Sequence, residues 1–271
     1  MTHKRMIVLD IASLGLGEAP DANRFDSIGA DTLGHIADKG LNVSNLINLG
    51  LGNVRWDNEI KSIPQVDAPR GFFGKMVTTV DSNRGSASFR EMFDYTAGVR
   101  TASVMDLLAE KQHSVSIISS FAYYWEKQDD ISMVQVPDDS KAFIELSAKM
   151  RTQKSGLIYC QLPELRHFAR MDDSVGYAKQ LNVLDETIGK VLERLRDNDL
   201  LLITSSYAID PTRDNRITRE YLPLIVFNPN KDEGKSLGIK RSLGAVANAI
   251  VAFFDLDDGE ITKPNFINEV K

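Results

Sequence analysis

The sequence predicts an α/β fold in which a mostly parallel sheet is sandwiched by helices. Three observations lead there. Short apolar runs such as Leu201 to Thr204 and Leu222 to Phe227 are continuous rather than alternating, the pattern of strands covered on both faces. Longer stretches between such runs carry apolar residues at spacings of three and four, one face of a helix. The helix-then-strand order repeats along the chain, as it does in parallel crossover units. With 271 residues, 42% of them apolar, the chain can bury a large core and reads as one domain spanning residues 1–271.

Taken in order, residues 6–9 form the first strand, which closes at Asp10, a position suited to a site. The loop after it holds Gly15 and Gly17, but the third glycine of a dinucleotide fingerprint is absent and Pro20 interrupts a following helix, so it reads as a turn. Residues 29–39 read as a short amphipathic helix, with Leu33, Ile36 and Ala37 inward, Gly40 past its end and His35 in a structural role. From Leu49 to Ser88, glycines and prolines break every period, and loops with short helical turns packed over the sheet are expected. A helix starts at Val99, with Val104, Leu107 and Leu108 inward, and a strand follows over 115–118. A helix over 139–150 and a strand over 156–162 repeat the order. The longest helix, 174–197, points Leu181, Leu184, Ile188, Val191, Leu192 and Leu195 to one side and leads into the strand 200–204. The strand 222–227 and a helix over 242–254 complete the core, and the polar tail 255–271 is expected to be partly loose.

Ligands of open α/β sheets gather at the carboxyl ends of the strands. Between 201 and 229 those ends offer Ser205, Ser206, Tyr207 and then Ile217, where a hydrolase or mutase would place Asp and His. Net charge of −6 and a pI near 5.3 describe an acidic protein with no basic stripe for phosphate backbones, so no nucleic-acid partner is expected. The one cysteine, Cys160, lies inside an apolar run and reads as a buried strand residue, in keeping with a cytoplasmic protein. The N-terminal apolar run is too short for a signal-peptide core, and no stretch is long enough to cross a bilayer, so no membrane role is expected.

A set of motifs goes further: Val8-Leu-Asp10, Gly15-Leu-Gly-Glu-Ala-Pro-Asp-Ala22, Gly29-Ala-Asp-Thr-Leu-Gly-His-Ile-Ala37, Leu49-Gly-Leu-Gly-Asn53, Gly74-Lys-Met76, Gly176-Tyr-Ala178, Asp210-Pro-Thr212 and Thr218-Arg-Glu-Tyr-Leu-Pro-Leu224. In order and spacing these resemble the phosphopentomutase family of the alkaline-phosphatase superfamily. That resemblance implies an alkaline-phosphatase-like core, an isomerase that moves phosphate between C1 and C5 of ribose or deoxyribose, and two divalent metals, usually manganese, held by Asp and His. It also implies a cap domain over the sugar phosphate, for which this chain leaves almost no room; the deletion falls near residues 93–100.

The resemblance also marks what is replaced. Where the family reads Thr-Ala-Asp-His-Gly-Asn-Asp-Pro-Thr, this chain has Thr204-Ser-Ser-Tyr-Ala-Ile-Asp-Pro-Thr212, so a metal-ligand pair becomes Ser206 and Tyr207. The family's His-Thr-Arg-Glu-Tyr becomes Ile217-Thr-Arg-Glu-Tyr221. An Asp with a His five residues later becomes Leu165 or Arg166 followed by Arg170 or Met171. The phosphorylated threonine segment aligns with Ser82 to Glu91 and sets Gly85 and Ala87 at the threonine positions. Asp10 alone remains of the metal-binding set.

One carboxylate does not hold two divalent ions at a fixed spacing. The first reading is therefore a phosphopentomutase-like protein without cofactor, metal binding or mutase activity, serving a binding, scaffolding or regulatory role. The second is a phosphotransferase or phosphohydrolase with a rebuilt site, drawing on Asp10, Glu164, His167, Asp172, Asp173, Asp210 and Asp214 with Arg213, Arg216 and Arg219. The third is anion binding without metal, Arg219 acting with Arg166 or Arg170. Expected partners are a small phosphorylated metabolite or a protein, including a second copy of this chain meeting the surface that loss of the cap exposes.

Overall fold

Strand β1 (Arg5–Ile11) is buried along its whole length because its side chains feed two cores at once: Ile7, Leu9 and Ile11 enter one, Met6 and Val8 the other. The structure, a computed structural model, describes residues 4–97, 100–122, 131–256 and 264–271. On either side of β1 lie β7 (Gly156–Leu162) and β8 (Asp199–Thr204), both parallel to it. The sheet also contains β2 (Phe72–Met76), β5 (Val115–Ser119), β6 (Ile131–Gln135), β9 (Leu222–Phe227) and β10 (Ser236–Lys240), in the order β10-β2-β9-β8-β1-β7-β5-β6. Every neighbouring pair is parallel except those made by β9, which runs antiparallel to both β8 and β2. The mostly parallel, helix-sandwiched sheet is thus present as expected.

One face is covered by α1 (Thr32–Ile36), α2 (Ser44–Asn48), α5 (Asp139–Thr152), α6 (Glu164–Arg170) and α7 (Ser174–Leu192), whose apolar residues join the core of Leu9 and Ile203. The other is covered by α3 (Gly85–Phe93), α4 (Val104–Glu110), α8 (Ala245–Phe254) and α9 (Ile267–Val270), packed on Val8 and Leu202. β1, β7, β8 and β9 alternate between these two cores, which is why they read as apolar runs.

Several expectations need correction. The stretch 49–88 is not wholly loop: Phe72–Met76 is a sheet strand pairing with β9, and Gly85 starts a helix. The helix expected from Val99 begins at Val104, capped by Ser103 Oγ, and Arg100–Ser103 instead forms β4, paired with β3 (Asp94–Ala97) in a separate hairpin; Val99 itself lies outside the described residues. The first helix spans only Thr32–Ile36, held by Asp31 accepting from the Gly34 amide. The longest helix ends at Leu192, and the last core helix begins at Ala245. The tail is anchored by Phe266, Ile267 and Val270, all fully buried, with residues 257–263 outside the described part.

Candidate functional site

Parallel pairing sets Asp10 beside Gln161 of β7 and beside Thr204 of β8 at the carboxyl edge of the sheet. Gln161 and Tyr159, two residues apart on β7, share a face, and both reach Asp10. The Asp10 Oδ2 accepts from the Tyr159 hydroxyl at 2.7 Å and from Gln161 Nε2 at 3.2 Å, while Oδ1 accepts from the Ser206 amide at 2.8 Å. Gln161 is held in turn by Ser119 Oγ, which donates to its Oε1 at 2.9 Å. Burial pushes the Asp10 carboxyl above the ordinary aspartate range, and the donors from Tyr159, Ser206 and Gln161 work against that rise.

Above this network opens a cavity of about 890 Å³, within the span typical of small-molecule sites. Ser206, Tyr207, Ile217, Gly85, Arg166 and Arg170, all singled out in the sequence, line it. Their convergence has a structural cause. Ala208 bridges to Ser13 on one side and Thr218 on the other, so the loop after β8 folds back on itself, and the antiparallel sense of β9 brings Ile217 to the same edge as Tyr207. A Cβ placed on Gly85 would stand 3.1 Å from Tyr207 Cδ1 and 3.4 Å from Ile217 Cδ1, so these three positions meet at one point. Helix α6, following β7 directly, carries Arg166 and Arg170 one turn apart on the same rim.

The electrostatics follow. Burial pushes the Tyr207 hydroxyl up to about 12, with Arg166 and then Arg170 pulling it back. The Tyr207 hydroxyl, Ser206 Oγ and Thr204 Oγ1 are all buried with no hydrogen-bond partner.

Other expected residues do not join the cavity. Arg219 is a correction: it is buried elsewhere, pairing with Asp21 at 2.9 Å, donating to the carbonyls of Thr78 and Val80 and lying 4.2 Å from the Phe25 ring centroid, so each of its three nitrogens is engaged away from the cavity. Ala87, set by the resemblance at a threonine position, lines a neighbouring groove, and Ser86 lines the cavity beside Gly85. The residues named for a rebuilt enzyme site are scattered. Glu164 pairs its amide and carboxylate with Asp139, Asp173 caps α7, Asp214 pairs with Arg216, and Asp210 holds His35 Nδ1 at 2.7 Å.

The sequence reading missed the aromatic part of the site. Phe89 and Phe93 of α3 line the cavity with their ring centroids 5.0 Å apart, Phe93 meets the Tyr159 ring edge-on at 4.9 Å, and Phe121 lines the cavity beneath Arg166. The signal available was the four-residue spacing of Phe89 and Phe93, obscured by the serines and glycine before it.

This donor set does not suit two divalent metals. Both Asp10 oxygens already accept hydrogen bonds, the residues that touch them, Tyr159, Gln161 and Ser206, are neutral, and among the described residues no three His, Cys, Asp or Glu come together as a ligand group.

Comparison with known proteins places the chain. The model of the metalloenzyme superfamily matches residues 4–258. A phosphopentomutase of Caldanaerobacter subterraneus subsp. tengcongensis is 24% identical over an alignment of 387 residues covering 98% of each chain; since this chain has 271 residues, the alignment bridges the difference with gaps. Among solved structures, the alkaline phosphatase of the Antarctic bacterium TAB5 superposes with a TM-score of 0.59 at 9% identity, over 95% of this chain and 99% of that one. The lipoteichoic acid synthase LtaP of Listeria monocytogenes does so with 0.57 at 11% identity, over 98% of this chain and 76% of that one. Both show the alkaline-phosphatase-like core. Among the described residues no helix is long and apolar enough to cross a membrane.

Proposed function

Given that the chain belongs to the metalloenzyme superfamily, we propose that it is a phosphopentomutase-like member that has given up metal binding and mutase activity and works by binding a small anionic metabolite at the carboxyl-edge cavity. The observation that carries this reading is the state of Asp10. Its carboxylate is buried beneath the cavity and engaged by Tyr159, Gln161 and the Ser206 amide, while the cavity wall above it presents Arg166 and Arg170. A two-metal site draws negative side chains toward bound cations; this one draws guanidinium groups toward the space a ligand would fill.

The β3–β4 hairpin stands where the cap domain would be inserted, and we read the cap as lost. Without a lid, a phosphorylated intermediate is open to water, which works against mutase chemistry. The uncovered edge is also where a protein partner or a second copy of this chain would dock. A cytoplasmic setting accords with the single cysteine, Cys160, buried and with its thiol pushed up by burial.

The test is elemental analysis of the purified protein together with a ribose 1-phosphate to ribose 5-phosphate assay with added Mn²⁺. Sub-stoichiometric metal and no turnover are expected. One or two bound Mn²⁺ per chain, or turnover, would overturn the reading.

A further inference from the structure

The carboxyl-edge cavity divides by chemistry in a way that narrows its ligand. On one side Arg166 and Arg170 act together on the Tyr207 hydroxyl, and among the described residues neither arginine forms a salt bridge. Beside them the Tyr207 hydroxyl, near Arg166, and Ser206 Oγ, near Asp10, are buried without a hydrogen bond of good geometry, two donors that an entering anion would satisfy. Helix α3 opens at the same place with no side-chain cap on its first turn, so its positive dipole end adds to the field.

The apolar part of the wall is built from rings. Phe89 and Phe93 pack against each other, and Phe121 carries the Arg166 guanidinium 4.9 Å above its centroid. A polyol would have to place hydroxyls against this wall, whereas a planar apolar body gains by stacking there. Asp94, ion-paired with Arg90 at 4.0 Å, and Asp106 also border the cavity, from β3 and α4. Among the described residues Arg166 and Arg170 are the lining cations without an ion pair, so the ligand's negative charge belongs at their end.

We propose that this cavity binds a small aromatic acid, its anionic head held by Arg166, Arg170, Ser206 and Tyr207 and its ring set against the phenylalanine wall. The assignment rests on the metal-free reading of the same site. It differs from that reading in what it excludes: sugar phosphates are poor ligands here.

Calorimetric titrations in EDTA with phenyl phosphate, benzoate, inorganic phosphate and ribose 5-phosphate test it. At least one aryl probe is expected to bind about tenfold more tightly than either non-aromatic phosphate, the choice between phenyl phosphate and benzoate identifying the head group. Arg170→Ala and Tyr207→Phe are each expected to weaken aryl binding roughly tenfold. Arg170 is exposed and the Tyr207 hydroxyl has no partner, so both variants should keep the fold, which circular dichroism verifies. Binding of ribose 5-phosphate as tight as that of the aryl probes, aryl binding untouched by both variants, or no aryl binding at all would each overturn the assignment and leave the metal-free reading standing. Aryl binding that requires added Mn²⁺ would overturn both.

Discussion

The Tyr159 hydroxyl donates to Asp10 Oδ2 at 2.7 Å, and both residues are wholly buried at the center of the sheet. This contact ties the floor of the cavity to its aromatic wall, because the same Tyr159 ring packs on Phe89 and Phe93. Together with Gln161 and the Ser206 amide, Tyr159 thereby fixes the carboxylate beneath the cavity.

Tyr159→Phe should therefore destabilise the protein by ~1–3 kcal/mol through a buried acceptor left short of a donor. The loss should depend on pH. Burial already raises the Asp10 carboxyl, so the folded state holds that proton more tightly than the unfolded chain and stability falls as pH rises through the raised value. Removing a donor raises it further. Urea unfolding at pH 4 and pH 8 should show the larger penalty at pH 8; an equal penalty would mean that Asp10 does not change charge between the two.

How much of this was legible follows from which signals are local. β1, β7 and β8 stand out because each is buried over its whole length and carries an apolar run on both faces, broken only near its ends. β2 is hidden, since Gly74 and Lys75 interrupt Phe72-Phe73 and Met76, and what makes it a strand is pairing with β9, far away in sequence. The tail is misjudged because Phe266, Ile267 and Val270 are few, though correctly spaced for one helical turn. At the site, the family resemblance singled out Gly85, Ser206, Tyr207 and Ile217, which the fold brings together. It could not orient Arg219, whose side chain leaves the edge for Asp21, nor reveal the phenylalanines that share the cavity only after α3 has folded.

A second pH effect comes from the groove between α5 and α7. Asp139 is pushed up to about 7, chiefly by burial, while Gln180 Nε2 and the Glu164 amide donate to it. Because the folded-state value lies above the unfolded one, the stability linked to this proton is present below about pH 4 and lost progressively as pH rises through about 7. Asp139→Asn should flatten the stability profile across that window, by on the order of a few kcal/mol at its upper end. Denaturant midpoints taken at half-unit pH steps would reveal it, and parallel profiles for the two proteins would count against the buried carboxyl as the cause.

Arg219 separates structural from ligand-directed arginines. Its removal in Arg219→Ala strands Asp21 and two carbonyls, and a cost of about 3–5 kcal/mol is expected for breaking a largely buried pair. Anion binding at the cavity should not change in whatever fraction remains folded. A stable Arg219→Ala protein with weakened anion binding would place Arg219 in the site after all.

Metal removal should do little. A ligand bound only to the folded state raises the melting temperature in proportion to RT ln(1 + [L]/Kd), so a structural or catalytic metal would make EDTA lower it visibly. With the Asp10 oxygens engaged by protein donors, millimolar EDTA or Mn²⁺ should each leave Tm unchanged. A drop in EDTA that Mn²⁺ reverses would identify a site this arrangement of donors does not predict.

Thr204 tests whether all of the unpartnered hydroxyls serve the ligand. Its Oγ1 is buried at the end of β8 without a partner, like those of Ser206 and Tyr207, yet Thr204 does not line the cavity. Thr204→Val keeps the shape, favors the strand and removes an unsatisfied polar group, so it should stabilise the protein by ~1–2 kcal/mol. Aryl-anion affinity should be unchanged, in contrast to Tyr207→Phe, where stability rises or holds while affinity falls. That opposite pairing would distinguish a hydroxyl buried by the fold from one kept for a ligand. Loss of stability in Thr204→Val would instead mean that the hydroxyl has a partner, such as a buried water bridging to the neighboring Asp10.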